Sequence, residues 1–169
     1  GMKIVVDTAD ASSIIDLDRI RPEIAANDES GPVHIGRHDP ALVREDRLFN
    51  LRLPAVRRFQ KAQNLNGVLG NQPPISKLGI MSVGKTTYEV TDALASLGID
   101  DPAKAGIGLF SIVMPWPIDP ASLVDFAKYY DEVMVVEEKR PIVEDQVARA
   151  VVNLAERAVI TGKSAPDGS

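Results

Sequence analysis

Residues 78–98 read LGIMSVGKTTYEVTDALASLG, and this stretch decides the fold. Residues 78–82 make a short apolar strand, and a turn follows at Gly84 and Lys85. Thr86 and Glu89 then stand at the spacing of a capping box, which predicts the start of a helix. Val90, Ala93, Leu94 and Leu97 recur at i, i+3, i+4 and i+7, the rhythm of one buried helical face, and Gly98 supplies the stop. A strand that passes directly into an amphipathic helix is the repeating unit of an α/β sheet.

The same alternation continues downstream. Residues 107–113 form the next strand candidate. Asp119 followed by Pro120 predicts an N-cap and a first-turn proline, with Leu123, Phe126, Ala127 and Tyr130 as the buried stripe. Residues 133–136 give a third strand. A last helix puts Val147, Ala150, Val151, Leu154 and Ala158 on one face, and the polar residues 162–169 are expected to be a disordered tail. Short strands separated by such helices pair in parallel through right-handed crossovers, so residues 76–161 are expected to be a three-layer α/β domain with a mainly parallel sheet. Three strands make a small sheet; either an N-terminal strand joins its edge or the domain leans on neighbours.

Upstream the pattern is irregular, and residues 1–75 read as an arm or linker. It opens with a short apolar run at residues 4–6 and goes on through Asn27, Asp28, Ser30, Gly31 and Pro32. One helix stands out in it, with Pro54 at its first turn and Ala55, Val56, Phe59 and Ala62 on one face. Arg57, Arg58 and Lys61 fall on the other side and read as a solvated face, with a basic partner-binding strip as the sharper alternative.

Composition excludes several functions. The chain has 169 residues, 44% of them hydrophobic, enough for one domain with a core. A formal net charge of −5 argues against a nucleic-acid binder. Cysteine is absent, which removes disulfides, thiol nucleophiles, thiolate metal sites and an iron–sulfur cluster ligated by this sequence. No apolar run approaches the roughly 20 residues that cross a bilayer, and the start does not read as a secretory signal, so a cytoplasmic location without membrane contact is expected. Gly1 ahead of Met2 reads as a residue left by tag removal.

The sharpest local motif is Gly79-Ile-Met-Ser-Val-Gly84-Lys85-Thr86, which has the spelling of the phosphate-binding loop Gly-x-x-x-x-Gly-Lys-Ser/Thr. Residues 133–136 with Glu137 imitate the strand and acid that would help hold magnesium. Taken alone, this argues for a nucleotide-binding protein that uses Gly79, Gly84, Lys85 and Thr86. Against it, no complete strand precedes Gly79, and two glycines leave few positions where amides can curl round a phosphate. A helix start that shares the spelling is the better reading, and Gly84, Lys85 and Thr86 stay as weak candidates for an anion. His34 and His38, with Asp39, have a possible metal spacing only on a helix, which Gly31, Pro32, Gly36 and Pro40 disfavour; no metal site is expected there. Glu137, Glu138, Lys139 and Arg140 follow a parallel strand, at the edge where open α/β sheets place their sites. They read as a capped turn with surface ion pairs, or as a contact with a ligand or domain. No catalytic residues are expected.

Four stretches together carry a more specific likeness: EDRLFNLRLPAVRRFQKAQNLN at 45–66, LGIMSVGKTTYEVTDALASLGID at 78–100, GIGLFSIVMPWPIDP at 106–120 and DEVMVVEEKRPIVEDQ at 131–146. In this order they resemble the middle of the indolepyruvate ferredoxin oxidoreductase family, with MPWPIDP and VVEEKRP as the most distinctive pieces. The resemblance implies a transketolase C-terminal-like, Rossmann-like domain that serves in assembly. It also implies a parent 2-oxoacid:ferredoxin oxidoreductase that uses thiamine diphosphate and magnesium, iron–sulfur clusters and ferredoxin, and that transfers an acyl group to coenzyme A, as a homodimer. Gly84, Lys85 and Thr86 match the family's own Gly-Lys-Ser/Thr at a helix start, without a catalytic role. The family's Gly-Asp-Gly diphosphate element is missing, so this segment alone is expected to hold no cofactor and to be inactive. Trp116, in the Pro115-Trp116-Pro117 strand end, and the 137–140 group are the candidates for contact with other domains of the parent chain.

Overall fold

A computed structural model describes Ile14, Asp16, residues 34–73 and residues 76–165. The apolar run at 4–6, the turn-rich stretch at 27–32 and residues 166–169 of the expected tail lie outside the described residues.

A helical rod leads into the sheet: α1 (Ala41–Arg47), a π turn (Leu48–Arg52) and α2 (Leu53–Ala62). Pro54, in the first turn of α2, has no N–H to offer the Asn50 carbonyl four residues back, and the π turn stands at that point. Then come β1 (Asn66–Leu69), β2 (Ser76–Val83), α3 (Thr86–Ser96), β3 (Ile107–Ile112), α4 (Pro120–Ala127), β4 (Tyr130–Val136), α5 (Ile142–Val151) and β5 (Val159–Thr161). The strands lie in the order β1-β3-β2-β4-β5. β2, β3, β4 and β5 are parallel, and β1 closes the β3 edge antiparallel.

Strand alternation sends the two faces to different helices. Met81, Phe110, Ile112, Val133 and Val135 pack with Leu123 and Phe126 of α4 and Val143, Val147 and Val151 of α5. Ile80 and Leu109, on the opposite face, pack with Leu94 of α3. The result is three layers, helix on both sides of a mainly parallel sheet, as the alternation predicts. Fully burying an aliphatic side chain of this kind contributes about 1.5–3 kcal/mol, which makes the α4–α5 layer the larger anchor. Gly79 and Gly108 are partners across β2 and β3. A Cβ at Gly79 would stand 2.8 Å from the Phe126 ring, and one at Gly108 would stand 1.7 Å from the Tyr130 hydroxyl. The two glycines thus leave a bare patch of backbone on which these rings lie.

Several expectations change. The sheet has five strands: β1 precedes residue 76, and β5 is only three residues long, too short for a periodic signal. In α3, Thr86, Val90 and Leu94 face inward while Ala93 and Leu97 are exposed, because a single helix on that face needs only a narrow stripe. The capping box does not form: the Thr86 hydroxyl accepts from the N–H of Val83, which precedes the helix, and Glu89 pairs with Lys85. α5 ends at Val151, so Leu154 and Ala158 enter the core from the following turn rather than from one helical face. Residues 162–164 are pinned, since Glu144 accepts from the N–H groups of Lys163 (2.6 Å) and Ser164 (3.0 Å). In α2 the buried residues are Leu53 and Gln60; Phe59 and Ala62 face out. Arg58 and Lys61 are exposed, but Arg57 is half-buried on the inward side, so the three do not form one basic strip.

Candidate functional site: the carboxyl edge of the sheet

β2 passes through α3 to β3 on one side, and β4 passes through α5 to β5 on the other. The loops leaving β2 and β4 therefore diverge to opposite faces, which opens the crevice that binds ligands in many doubly wound sheets. Gly84 and Lys85 form one wall, and Glu137, Glu138, Lys139 and Arg140 form the other. Thr86 ties them together, donating from Oγ1 to the Val136 carbonyl at 2.8 Å.

The polar side chains of the Gly79–Thr86 motif all have local work. Gly79 lies inside β2, under the rings of Phe126 and Tyr130, and residues 80–83 continue the strand. A phosphate loop needs these residues to curl with their amides facing inward, and here the amides belong to a parallel ladder. The Thr86 hydroxyl, which would meet magnesium, is engaged with Val83 and Val136. The Lys85 ammonium pairs with Glu89 at 2.7 Å. Its hydrogen bond to Glu89, with the charges of Glu89 and Glu138 adding, pushes it up from its ordinary range. Gly84 turns the chain at φ +56°. This donor set does not fit a diphosphate with its magnesium, whether from a nucleotide or from thiamine diphosphate.

On the other wall Glu137 is buried, and its carboxylate accepts from the N–H groups of Ile142 (3.1 Å), Val143 (2.9 Å) and Glu144 (2.9 Å). It caps α5 from the preceding strand end and neutralises the positive end of the helix dipole. Lys139 turns at φ 63°, while Glu138, Lys139 and Arg140 are exposed. Of the four-residue run, Glu137 is therefore structural and the other three face outward. Asp39 is engaged with Arg47 (2.5 Å) and with the Gly36 N–H (2.7 Å), and the His34 carbonyl accepts from the same Arg47. Among the described residues no group of three His, Cys, Asp or Glu side chains could hold a metal ion.

The loop after β3 is the most tightly held part of this edge. The Trp116–Pro117 peptide is cis. Asn66 Oδ1 accepts from the N–H groups of Val113 and Met114, at 3.0 and 2.9 Å. Gln60, 2% exposed, donates from Nε2 to the carbonyls of Met114 and Pro117 and accepts from the Asp119 N–H. Gln146 of α5 donates to the Pro115 carbonyl and accepts from the Ile118 N–H. Between these clamps the Trp116 side chain remains 59% exposed. Gln60, Asn66 and Gln146 escape a reading by hydrophobic period, because amide side chains that bind a distant loop leave no repeat. A groove of about 510 Å³ runs beside β4 on the α3 face, with Met134 and Val136 among its apolar lining and Glu132 and Lys163 among its charged lining. No helix among the described residues is long and apolar enough to cross a membrane.

The profile of the indolepyruvate oxidoreductase domain matches residues 66–169, from β1 onward. The chain is 32% identical over 98 residues to the indolepyruvate oxidoreductase subunit IorA of Pyrococcus horikoshii and of Pyrococcus abyssi, over 56% of this chain and 14% of each relative. The subunit of Thermococcus kodakarensis is 32% identical over 88 residues, 52% of this chain and 13% of its own length. The chain thus spans about one-seventh of these curated relatives. Among solved structures, a split-gene transketolase in an inactive β4 tetramer is 20% identical with a TM-score of 0.45, over 57% of this chain and 31% of its own. The 2-oxoglutarate:ferredoxin oxidoreductase of Magnetococcus marinus is 16% identical with a TM-score of 0.39, over 67% and 20%. With β1 to β5 and every helix between them inside the matched region, this chain belongs to the indolepyruvate oxidoreductase domain family.

Proposed function

We propose that the chain is a noncatalytic assembly domain of a 2-oxoacid:ferredoxin oxidoreductase of the indolepyruvate type. The observation that carries this reading is the family match over residues 66–169, one part of a much longer polypeptide in the relatives. The edge chemistry supports it, since Thr86, Glu137 and Lys85 are committed to internal bonds. In this reading residues 76–161 are the domain and residues 1–75 an arm that lends it β1. The parent, in the cytoplasm, decarboxylates an aryl or other 2-oxoacid to an acyl-CoA and reduces ferredoxin. It uses thiamine diphosphate, magnesium and iron–sulfur clusters carried elsewhere, and assembles as a homodimer. Trp116, Glu138, Lys139 and Arg140 face neighbouring domains.

Two measurements test this. Calorimetric titration of the chain with magnesium ATP, magnesium GTP, thiamine diphosphate and coenzyme A is expected to be silent at submillimolar concentration. A magnesium-dependent nucleotide signal that disappears in Lys85→Ala would overturn the reading. Deleting the domain from the parent subunit is expected to abolish assembly as well as activity; an intact, active deletion variant is the opposing result.

A further inference from the structure

The loop after β3 is held harder than its turn requires. Asn66, Gln60 and Gln146 approach it from three elements and bind backbone groups on both sides of Trp116. A connection between a strand and a capped helix needs no large aromatic at its tip, yet the chain's one tryptophan stands there, exposed. An indole on a fixed backbone loses little freedom when it is covered, which is why rigid Trp residues anchor interfaces.

A second observation comes from α2. Leu53, Arg57 and Gln60 share one helical face by their spacing, and Gln60 is the residue that grips Met114 and Pro117. Arg57 is half-buried on that face, and its Nε is buried with no hydrogen-bond acceptor among the described residues. No carboxylate among the described residues pairs with it, although Arg47, on the same helical rod, has Asp39. Of this guanidinium only Nε is shut off from water, so the terminal nitrogens stay open to a carboxylate from outside, which the planar fork fits.

From these two features we propose that the 113–119 loop and Arg57 form a docking surface for an acidic segment of the oxidoreductase polypeptide outside this chain. Trp116 is the apolar anchor, and Arg57 receives the carboxylate. The proposal rests on the assembly reading, and the occupant follows from two facts: the matched stretch is only 14% of the relatives' length, and the unmet group is a cation. Because this chain is itself negative overall, with net charge −5, an acidic partner must be recognised by local pairing rather than by long-range attraction.

The probe is the remainder of the parent subunit from the same organism, produced as a separate polypeptide without the stretch that matches this chain. The 169-residue chain carries 5-fluorotryptophan, so that a single 19F resonance reports Trp116. The expected result is saturable binding with a shift of that resonance. By calorimetry, Trp116→Ala and Arg57→Ala each weaken Kd by at least about ten-fold, as hot-spot truncations do. Lys61→Ala, exposed on the same helix, changes Kd less than about two-fold, in keeping with the small effects of rim charges on affinity. Circular dichroism melts confirm that each variant is folded. Binding that leaves the resonance and both Kd values unmoved overturns this surface and leaves the assembly reading intact. No binding by the unaltered chain overturns both.

Discussion

Between residues 41 and 62 the helical rod leaves Leu42, Phe49 and Phe59 exposed, whereas α4 and α5 bury Leu123, Phe126, Val143 and Val147. α1 buries nothing, and α2 buries Leu53 and a glutamine. The sheet unit is held by apolar surface removed from water. The rod is tied to it by the hydrogen bonds of Gln60 to the 113–119 loop, with Asn66 binding the same loop from the start of β1. The difference teaches that apolar content does not say which residues hold a segment in place: a helix can carry a hydrophobic face and still be docked through an amide.

Removing a core side chain should strike the sheet unit hardest. Leu123→Ala, at a fully buried position between α4 and the sheet, is expected to cost about 2–5 kcal/mol, measured by urea denaturation with the slope unchanged. If it costs no more than a surface change, the α4–α5 layer is not the main anchor.

Gln60→Ala should come next. It leaves the Pro117 carbonyl and the Asp119 N–H without their partner, and the Met114 carbonyl with Asn66 Nδ2 alone, at about 1–3 kcal/mol for buried groups left unmet. Hydrogen exchange should then speed up at residues 113–119 and in α2 while β2 and β4 keep their protection. Uniform loss of protection would mean that rod and sheet unfold as one unit, which would erase the contrast.

Phe49→Ser should change the stability of this chain by no more than about 0.5 kcal/mol, as expected of an exposed position. A clear loss of stability would show that the rod is packed more closely than its exposure indicates.

The smallest effect should come from surface charge. The hydrogen bond and charge of Lys128 hold the Asp125 carboxyl below its usual range. A carboxyl depressed on folding adds stability above its unfolded-state value and loses it as pH falls through the folded-state value. Lys128→Ala should therefore lower stability slightly at neutral pH, since exposed pairs contribute little, and the deficit should vanish as pH falls through the folded-state value of Asp125. A large change at neutral pH would mean that the α4–β4 corner depends on this pair.

Much of the architecture was legible because it rests on local signals. Residues 78–98 announce strand, turn and helix in succession, and the Asp119-Pro120 start of α4 forms as read, with the Asp119 side chain accepting from Ala121. The family resemblance followed from short stretches in fixed order. Less was legible where the partners are distant. Gly79 looks like the first glycine of a phosphate loop, but it is a glycine because rings from residues 126 and 130 lie on it. Glu137 looks like a surface acid, but it caps a helix that starts five residues later.

The sequence alone determined the alternation of strand and helix, the Asp119 cap of α4 and the turn glycines, because each depends on residues within a few positions of one another, and its composition settled the absence of cysteine chemistry. Only the tertiary structure decided that β1 and β5 complete the sheet, that Gln60 and Asn66 clamp the Trp116 loop across 47 or more residues of sequence, and that Arg57 Nε is left without an acceptor among the described residues. Those outcomes depend on what the folded chain brings together, and a lone amide or guanidinium carries no periodic mark of the partner it will meet.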